Sequence, residues 1–336
     1  MSTPTVSFIV TAYNVASYIA VAIQSAIDAV PDGAEIIVVD DGSKDLTPNI
    51  LRELQASYFG KVNIRALTFS QNTIGGTATA ANFGMDFATG QIIVFLDGDD
   101  WVIPHTLRRA LDRMQRGQLD MLVCDCSEYW NDTGAYTKYP EAHLWDQLNE
   151  AADDSTRKSL LLQMAPFPWR KLYRRAFLDT AKIRFPIGDY FFEDNPFHWD
   201  AVLKAGNWSW FREVTHIHRM ARAGQSLDRK GAAYLKIFSH FDTMHRLVSE
   251  SNNTAELHRN LLDWLLKHTV WCCNHVTSRE WNDLFDLAAA RIALIDPSMF
   301  WGAIRETGFL QDDMRKLVAI FLGDRMSFLR EFPLPE

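Results

Sequence analysis

The chain has 336 residues, 47% hydrophobic and 23% charged, and its 34 basic against 42 acidic side chains leave a formal charge of −8. That balance is ordinary for a globular protein of about two domains, and it gives a nucleic-acid partner no general electrostatic support. No N-terminal run joins a basic start to an apolar stretch and a small-residue cleavage site, and the apolar stretch LAAARIALIDPSMFWGAI is interrupted by Arg291, Asp296 and Pro297, so secretion and a spanning helix are not expected.

The first strand is predicted at 5–14, TVSFIVTAYN, an almost continuous apolar run of the kind covered on both faces. Val15, Ile19, Ala22, Ile23, Ala26, Ile27 and Val30 then recur at helical spacing until Pro31-Asp32-Gly33 breaks the chain. EIIVVDDG (35–42) is the second strand, and LTPNILRELQASYF a helix with Thr47 as N-cap and Pro48 at its first position. NIRALTFS, QIIVFL and DMLVCDCSEYW read as further strands, separated by the helical segments TATAANFGMDFA and PHTLRRALDRMQRG. Strands alternating with helices predict an α/β fold, a mostly parallel sheet with helices on both faces. Right-handed crossovers then put every strand's carboxyl end on one edge.

From about residue 142 the alternation dissolves. A helical segment (145–164), the Pro-rich break APFPW, KLYRRAFL, the loop FPIGDYFFEDNPFHW and a strand at REVTHIHRM come next. Residues 231–336 read as successive amphipathic helices, so the expected division is a catalytic domain at 1–230 and a helical C-terminal region at 231–336. Cys124 and Cys126 alternate on a strand pattern and Cys272 and Cys273 are adjacent on a helical one. Without the two-residue gaps of a zinc knuckle, all four are read as buried free thiols.

Ligands of open α/β sheets bind beyond the carboxyl ends of the strands. Three polar clusters fall there: TAYN after the first strand, DDGS (40–43) after the second, and DGDD (97–100) after the fourth, with five aspartates among them. Each cluster alone is an ordinary turn; three on one rim point to a site. Asp97, Asp99 and Asp100 repel one another unless a cation sits among them. Hard carboxylate oxygens suit Mg²⁺ or Mn²⁺, which shares its shell with substrate phosphates. DDGS offers carboxylates to a ribose or base, Tyr13 a ring to stack on it. The chain has neither GxGxxG nor GxxxxGK[ST], so neither familiar phosphate loop explains a nucleotide here.

The segments SFIVTAYN, EIIVVDDGSKD and GGTATAANFGMDFATGQIIVFLDGDDW, in this order over residues 5–105, resemble glycosyltransferase family 2. The likeness resumes at PWRKLYRRAFL and FFEDNPFHW. It implies a GT-A fold, Rossmann-like, and an inverting, metal-dependent transfer from a nucleoside-diphosphate sugar, with a UDP-sugar favoured. The acceptor would be a hydroxyl of a carbohydrate or lipid-linked molecule, in bacterial surface polysaccharide or glycoconjugate synthesis. By the same resemblance Thr11, Tyr13, Asp40 and Asp41 would contact the nucleoside. Asp97 and Gly98 would meet the donor, and Asp99 with His218 would hold the metal. Asp100 and Glu193 would support the site, and Asp194 would be the base that deprotonates the acceptor.

One departure stands out: the family commonly shows Ala-Arg-Asn where this chain has Ala80-Ala81-Asn82. A diphosphate-facing cation is thus missing at Ala81, and Arg219, Arg222 or Lys171 would have to supply it. The aromatic pair often found near 216–218 is replaced by histidines. The basic run WRKLYRR reads as a solvated helix face, with a membrane surface or anionic lipid-linked acceptor as the other reading. The chain is accordingly expected in the cytoplasm, where it could meet the inner face of the cell membrane. The C-terminal helices are candidates for self-association. A haloacid-dehalogenase-type phosphatase would carry its Asp-x-Asp after the first strand rather than the fourth, and a sugar-nucleotide pyrophosphorylase would begin with a Gly-rich loop. The remaining alternative is a degenerate GT-A domain kept for carbohydrate binding or scaffolding.

Overall fold

The computed structural model describes residues 5–30, 33–188, 191–222, 231–251 and 254–332. Pro31 and Asp32 of the expected break lie outside the described residues, as does the 230 side of the expected domain boundary. The chain divides into two compact units, one of Met1–Asp146, Pro166–Asp189 and Lys204–Gln225, the other of Gln147–Ala165, Tyr190–Leu203 and Ser226–Glu336.

In the first unit, β1 (Val6–Ala12), β2 (Ala34–Asp40), β3 (Asn63–Thr68) and β4 (Ile92–Asp97) run parallel. They are joined through α1 (Ile19–Ala29), α2 (Thr47–Ser57) and α3 (Gly76–Phe87), and α4 (Pro104–Arg116) comes after them. The continuous apolar runs arise because both faces are covered. Phe8, Val10, Ile36, Val38, Val94 and Leu96 join a core with Ile19, Ile23, Leu107 and Leu111 of α1 and α4. Ile9, Ile37, Val39 and Ile93 are buried on the opposite face. There α3 comes so near β1 that a Cβ at Gly84 would lie 2.4 Å from Cγ2 of Ile9, so a larger residue would force the helix off the sheet. Thr47 is not the cap expected of it. It lies inside α2, its hydroxyl accepts from the Val15 amide at 3.0 Å, and Asp45 Oδ1 accepts from the Thr47 amide at 2.9 Å.

The other half of the sheet is mixed. β8 (Lys171–Arg174) is antiparallel to β4 and to β6 (Met121–Trp130). β9 (Trp208–Met220) runs parallel to β6, β5 (Trp101–Val102) antiparallel to β9, and β7 (Ala135–Lys138) forms a hairpin with β6. The strand order is β3-β2-β1-β4-β8-β6-β9-β5. The β6–β9 register shifts at Cys124, Asp125 and Cys126. Such a bulge bends the strand and re-aims the side chains beyond it. On β9 these include His218 and Arg219, which meet Asp100 of the DGDD turn.

The run WRKLYRR is not a solvated helix face. Arg170 and Lys171 are fully buried at the start of β8. Arg170 pairs with Glu141 at 2.5 Å and donates to the Cys124 carbonyl, while Lys171 donates to the Phe167 carbonyl at 2.7 Å. Arg174 and Arg175 donate to the carbonyls of Leu119 and Gly90. A buried charge needs such partners, and those of the three arginines lie far away in sequence. The four cations therefore already have partners within the fold.

α5 (Ala142–Glu150) carries the chain from the first unit to the second, and α7 (Arg175–Thr180) belongs to the first. The second unit is helical: α6 (Asp154–Gln163), α8 (Asp194–Lys204), α9 (Ile237–Ser249), α10 (Thr254–His275), α11 (Trp281–Ile292), α12 (Pro297–Glu306), α13 (Gln311–Phe321) and α14 (Arg325–Arg330). Asn260 and Trp264 of α10 donate at 2.8 Å to Ser159 Oγ of α6 and Asn195 Oδ1 of α8. These bonds tie the mid-chain helices to the C-terminal ones. Among the described residues no single helix is long and apolar enough to cross a membrane, and the apolar stretch at 287–304 turns through 115° where α11 gives way to α12. Cys124, Cys126, Cys272 and Cys273 are all buried free thiols.

Candidate active site

The parallel register sets Thr11 opposite Asp97 and Ala12 opposite Asp40, so β1, β2 and β4 end together. Thr11 Oγ1 donates to Asp97 Oδ1 at 2.8 Å. The Gly98 amide donates to the Thr11 carbonyl at 2.8 Å, and a Cβ there would stand 2.9 Å from that oxygen. Gly98 thus has a packing reason of its own. Asp40 is wholly buried; its Oδ1 accepts from the Ser43 amide, and its Oδ2 has no hydrogen-bond partner among the described residues. Asp41 is committed to the chain, accepting from Asn72 Nδ2 at 2.8 Å and the Thr73 amide at 2.9 Å, and burial raises its pKa. Tyr13 is 44% exposed beside Asn14, which adopts φ 52° and is tied to Ser43 and Lys44.

Asp99 and Asp100 are buried in the turn after β4. Asp100 accepts from the Arg219 amide at 2.7 Å and from His218 Nδ1 at 2.9 Å. Arg219 Nε donates to the Asp99 carbonyl at 2.8 Å, and its guanidinium carbon lies 4.5, 4.9 and 5.4 Å from the ring centres of Tyr18, Trp101 and Tyr129. The Asp99 carboxylate itself is ion-paired with Arg222 Nε. Burial, then the charges of Asp100 and Asp99, push Asp97 up to about 7. Burial works against a charged His218, yet Asp100 above all, with Asp97 and Asp99 adding, holds its pKa at about 9. His216, two residues back on β9, is buried with its Nδ1 on Thr215 Oγ1, and burial drops it to about 3.

Glu193 and Asp194 belong to the second unit. Both are half-buried, and Asp194 opens α8 with its Oδ1 accepting from Asn195 Nδ2 at 3.0 Å. The preceding Phe192 takes a left-handed φ of 65°, a conformation rare for a bulky residue.

A sequence model described as glycosyl transferase family 2 matches residues 7–182. The chain belongs to glycosyl transferase family 2. The putative glycosyltransferase EpsH of Bacillus subtilis (strain 168) is 25% identical over 342 residues, 96% of this chain and 92% of its own length. A crystal structure of Staphylococcus aureus TarS 1–349 in complex with UDP-GlcNAc superposes with a TM-score of 0.76 at 19% identity, covering 97% of this chain and 90% of that one. The mannosyltransferase PcManGT of Pyrobaculum calidifontis, in complex with GDP-Man and Mn²⁺, gives 0.56 at 18% identity, covering 98% and 85%. These likenesses establish the GT-A fold, and family membership makes the protein a glycosyltransferase.

A divalent cation fits this glycosyltransferase's rim by the chemistry of the groups present. Asp99 offers hard oxygens. Asp100 grips His218 by Nδ1, and no hydrogen bond occupies Nε2 among the described residues. A carboxylate holding the far nitrogen of an imidazole is the usual outer-shell arrangement of a metal-binding histidine. Among the described residues no three His, Cys, Asp or Glu gather closely enough to hold a metal by themselves. A cation here would therefore complete its shell with substrate oxygens and water.

The motifs pointed to Asp97, Asp99 and Asp100, and the resemblance to His218, with Arg219 and Arg222 as candidate cations. The hold of Asp100 on His218 and Arg219, and the Tyr18, Trp101 and Tyr129 rings around Arg219, carry no sequence signal.

Proposed function

We propose that this glycosyltransferase moves a sugar from a UDP-sugar to a hydroxyl of a carbohydrate or lipid-linked acceptor by a single inverting displacement, with Mg²⁺ or Mn²⁺ bound. The observation that carries the nucleotide reading is the buried Asp40 Oδ2 at the end of β2, which has no partner among the described residues. A buried acceptor left unmatched is costly, and a nucleobase ring N–H supplies the missing donor. The likeness to TarS in complex with UDP-GlcNAc favours uracil as that base. The names of relatives such as the succinoglycan biosynthesis protein ExoO support a role in bacterial surface polysaccharide synthesis.

Each step draws on the chain's own groups. Asp40 accepts from the base, Tyr13 offers a ring to stack on it, and Asp97, held by Thr11, accepts from the ribose. Asp99 and His218 would hold the cation, which supplies charge neutralisation as the diphosphate departs. Asp194 takes the proton of the acceptor hydroxyl. The new C–O bond forms as the bond from the anomeric carbon to the diphosphate oxygen breaks, and the electron pair leaves on that oxygen. The test is UDP release from UDP-sugars with a bacterial glycolipid extract as acceptor. Asp194→Asn should abolish release while leaving UDP binding intact, and undiminished release would remove Asp194 from the mechanism.

A further inference from the structure

The cation missing at Ala81 has to come from somewhere. Ala81 is buried in α3, and no residue of Gly76–Phe87 is cationic. Of the three basic residues that could replace it, Lys171 is buried in β8 with its ammonium on the Phe167 carbonyl. Arg219 is committed as well: its guanidinium lies against three aromatic rings, donates to the Asp99 carbonyl and reaches Asn131 Oδ1 at 3.0 Å. Arg222 differs in kind. Its Nε is paired with the carboxylate of Asp99, the group a divalent cation would take.

We propose that Arg222 is the cation that meets the donor's diphosphate, and that it does so by exchanging partners, from Asp99 in the free enzyme to phosphate oxygens in the donor complex. The proposal rests on the nucleotide-sugar reading above. Before the donor arrives, the Asp99 carboxylate faces Arg222. A divalent cation and a sugar diphosphate carrying two negative charges enter together without net change, so Arg222 need only turn from one anion to another. With Asp99 engaged by a divalent cation, the guanidinium of Arg222 would lose that carboxylate and be repelled from its place. The diphosphate offers it a planar array of oxygens, the geometry a guanidinium matches in bidentate fashion. When the anomeric C–O bond breaks, the leaving diphosphate gains one negative charge, and Arg222 is then placed to neutralise it.

The exchange makes two affinities move in opposite directions. Arg222→Gln and Arg222→Lys are compared with the wild type by titration with Mn²⁺ alone and with UDP at saturating Mn²⁺, after melting curves confirm that each is folded. Arg222→Gln should bind Mn²⁺ alone more tightly, because the competing charge is gone, and UDP at least about tenfold more weakly, because a charge-assisted contact is lost. Arg222→Lys should fall between on both. Equal Mn²⁺ affinity in wild type and Arg222→Gln, or equal UDP affinity, overturns the proposal while leaving the transferase reading in place. A wild-type protein that binds no nucleoside diphosphate at all overturns both.

Discussion

Thr11 at the end of β1 donates from Oγ1 to Asp97 Oδ1 at the end of β4, 2.8 Å across the sheet. This bond fixes the orientation of a carboxylate that burial and two neighbouring aspartates press towards its neutral form. Thr11→Val keeps the shape and removes the donor. Asp97 should then titrate higher still, and UDP affinity should fall roughly five- to tenfold for the loss of about 1 kcal/mol of hydrogen bonding. Titration of UDP into wild type and variant measures it; an unchanged affinity would free Asp97 from the donor site.

Asp40→Asn tests the buried acceptor directly. The side chain keeps its size and its tie to the Ser43 amide, so the melting temperature should change little. UDP affinity should fall by about tenfold or more. A variant that melts lower but binds UDP normally would assign Asp40 to the fold alone.

Arg170 and Glu141 form a buried ion pair, with side-chain exposures of 0% and 8%. Removing one partner leaves the other charge buried, so Glu141→Gln should cost about 3–5 kcal/mol of unfolding free energy. Replacing both by apolar residues of similar volume should recover much of that loss. Urea denaturation of the single and double variants checks both statements.

His240 is buried with its Nε2 on the Phe191 carbonyl, and burial lowers its pKa to about 4. The unfolded histidine titrates near 6.5. Between about 4 and 6.5 the unfolded chain thus binds more protons than the folded one, so this stabilisation is complete above pH 6.5 and is lost as pH falls towards 4, at up to about 1.4 kcal/mol per pH unit. His268, lowered to about 4 by burial, acts in the same direction. Asp97, raised to about 7, acts in the opposite one, since its protonated form is the better buried. The variant-minus-wild-type difference isolates His240. In His240→Gln, which keeps an N–H for the Phe191 carbonyl, the acid-side slope of stability should flatten. Parallel slopes would mean that His240 does not titrate across that range.

The rim was legible in the sequence because its strands are covered on both faces. TVSFIVTAYN, EIIVVDDG and QIIVFLDGDD each read as an apolar run that ends abruptly in turn residues, and register alone then brings Thr11, Asp40 and Asp97 together. β9 was visible as a strand, but its partners were not. His218, Arg219 and Arg222 reach the DGDD turn because β9 passes a bulge against β6, a pairing between residues about 90 positions apart. The same limit explains the misreading of WRKLYRR, since a charged run looks solvated until Glu141 and Cys124 come into view as partners of Arg170. Thr47 looked like a cap because local pattern favours it there, and it was diverted by the Val15 amide from the end of β1.

The three aspartates after β4 cluster, on this reading, to complete a nucleoside-diphosphate site with a divalent cation. The most direct test is the melting temperature of the protein against UDP, GDP, ADP and CDP, each with and without Mn²⁺, in wild type and Asp99→Ala. Ligand at about 100 times its dissociation constant should add roughly 2.7 kcal/mol. A rise with UDP that requires Mn²⁺ and vanishes in Asp99→Ala is the predicted result. A folded protein whose melting temperature no nucleotide moves, with or without the metal, would contradict that reading of the aspartates.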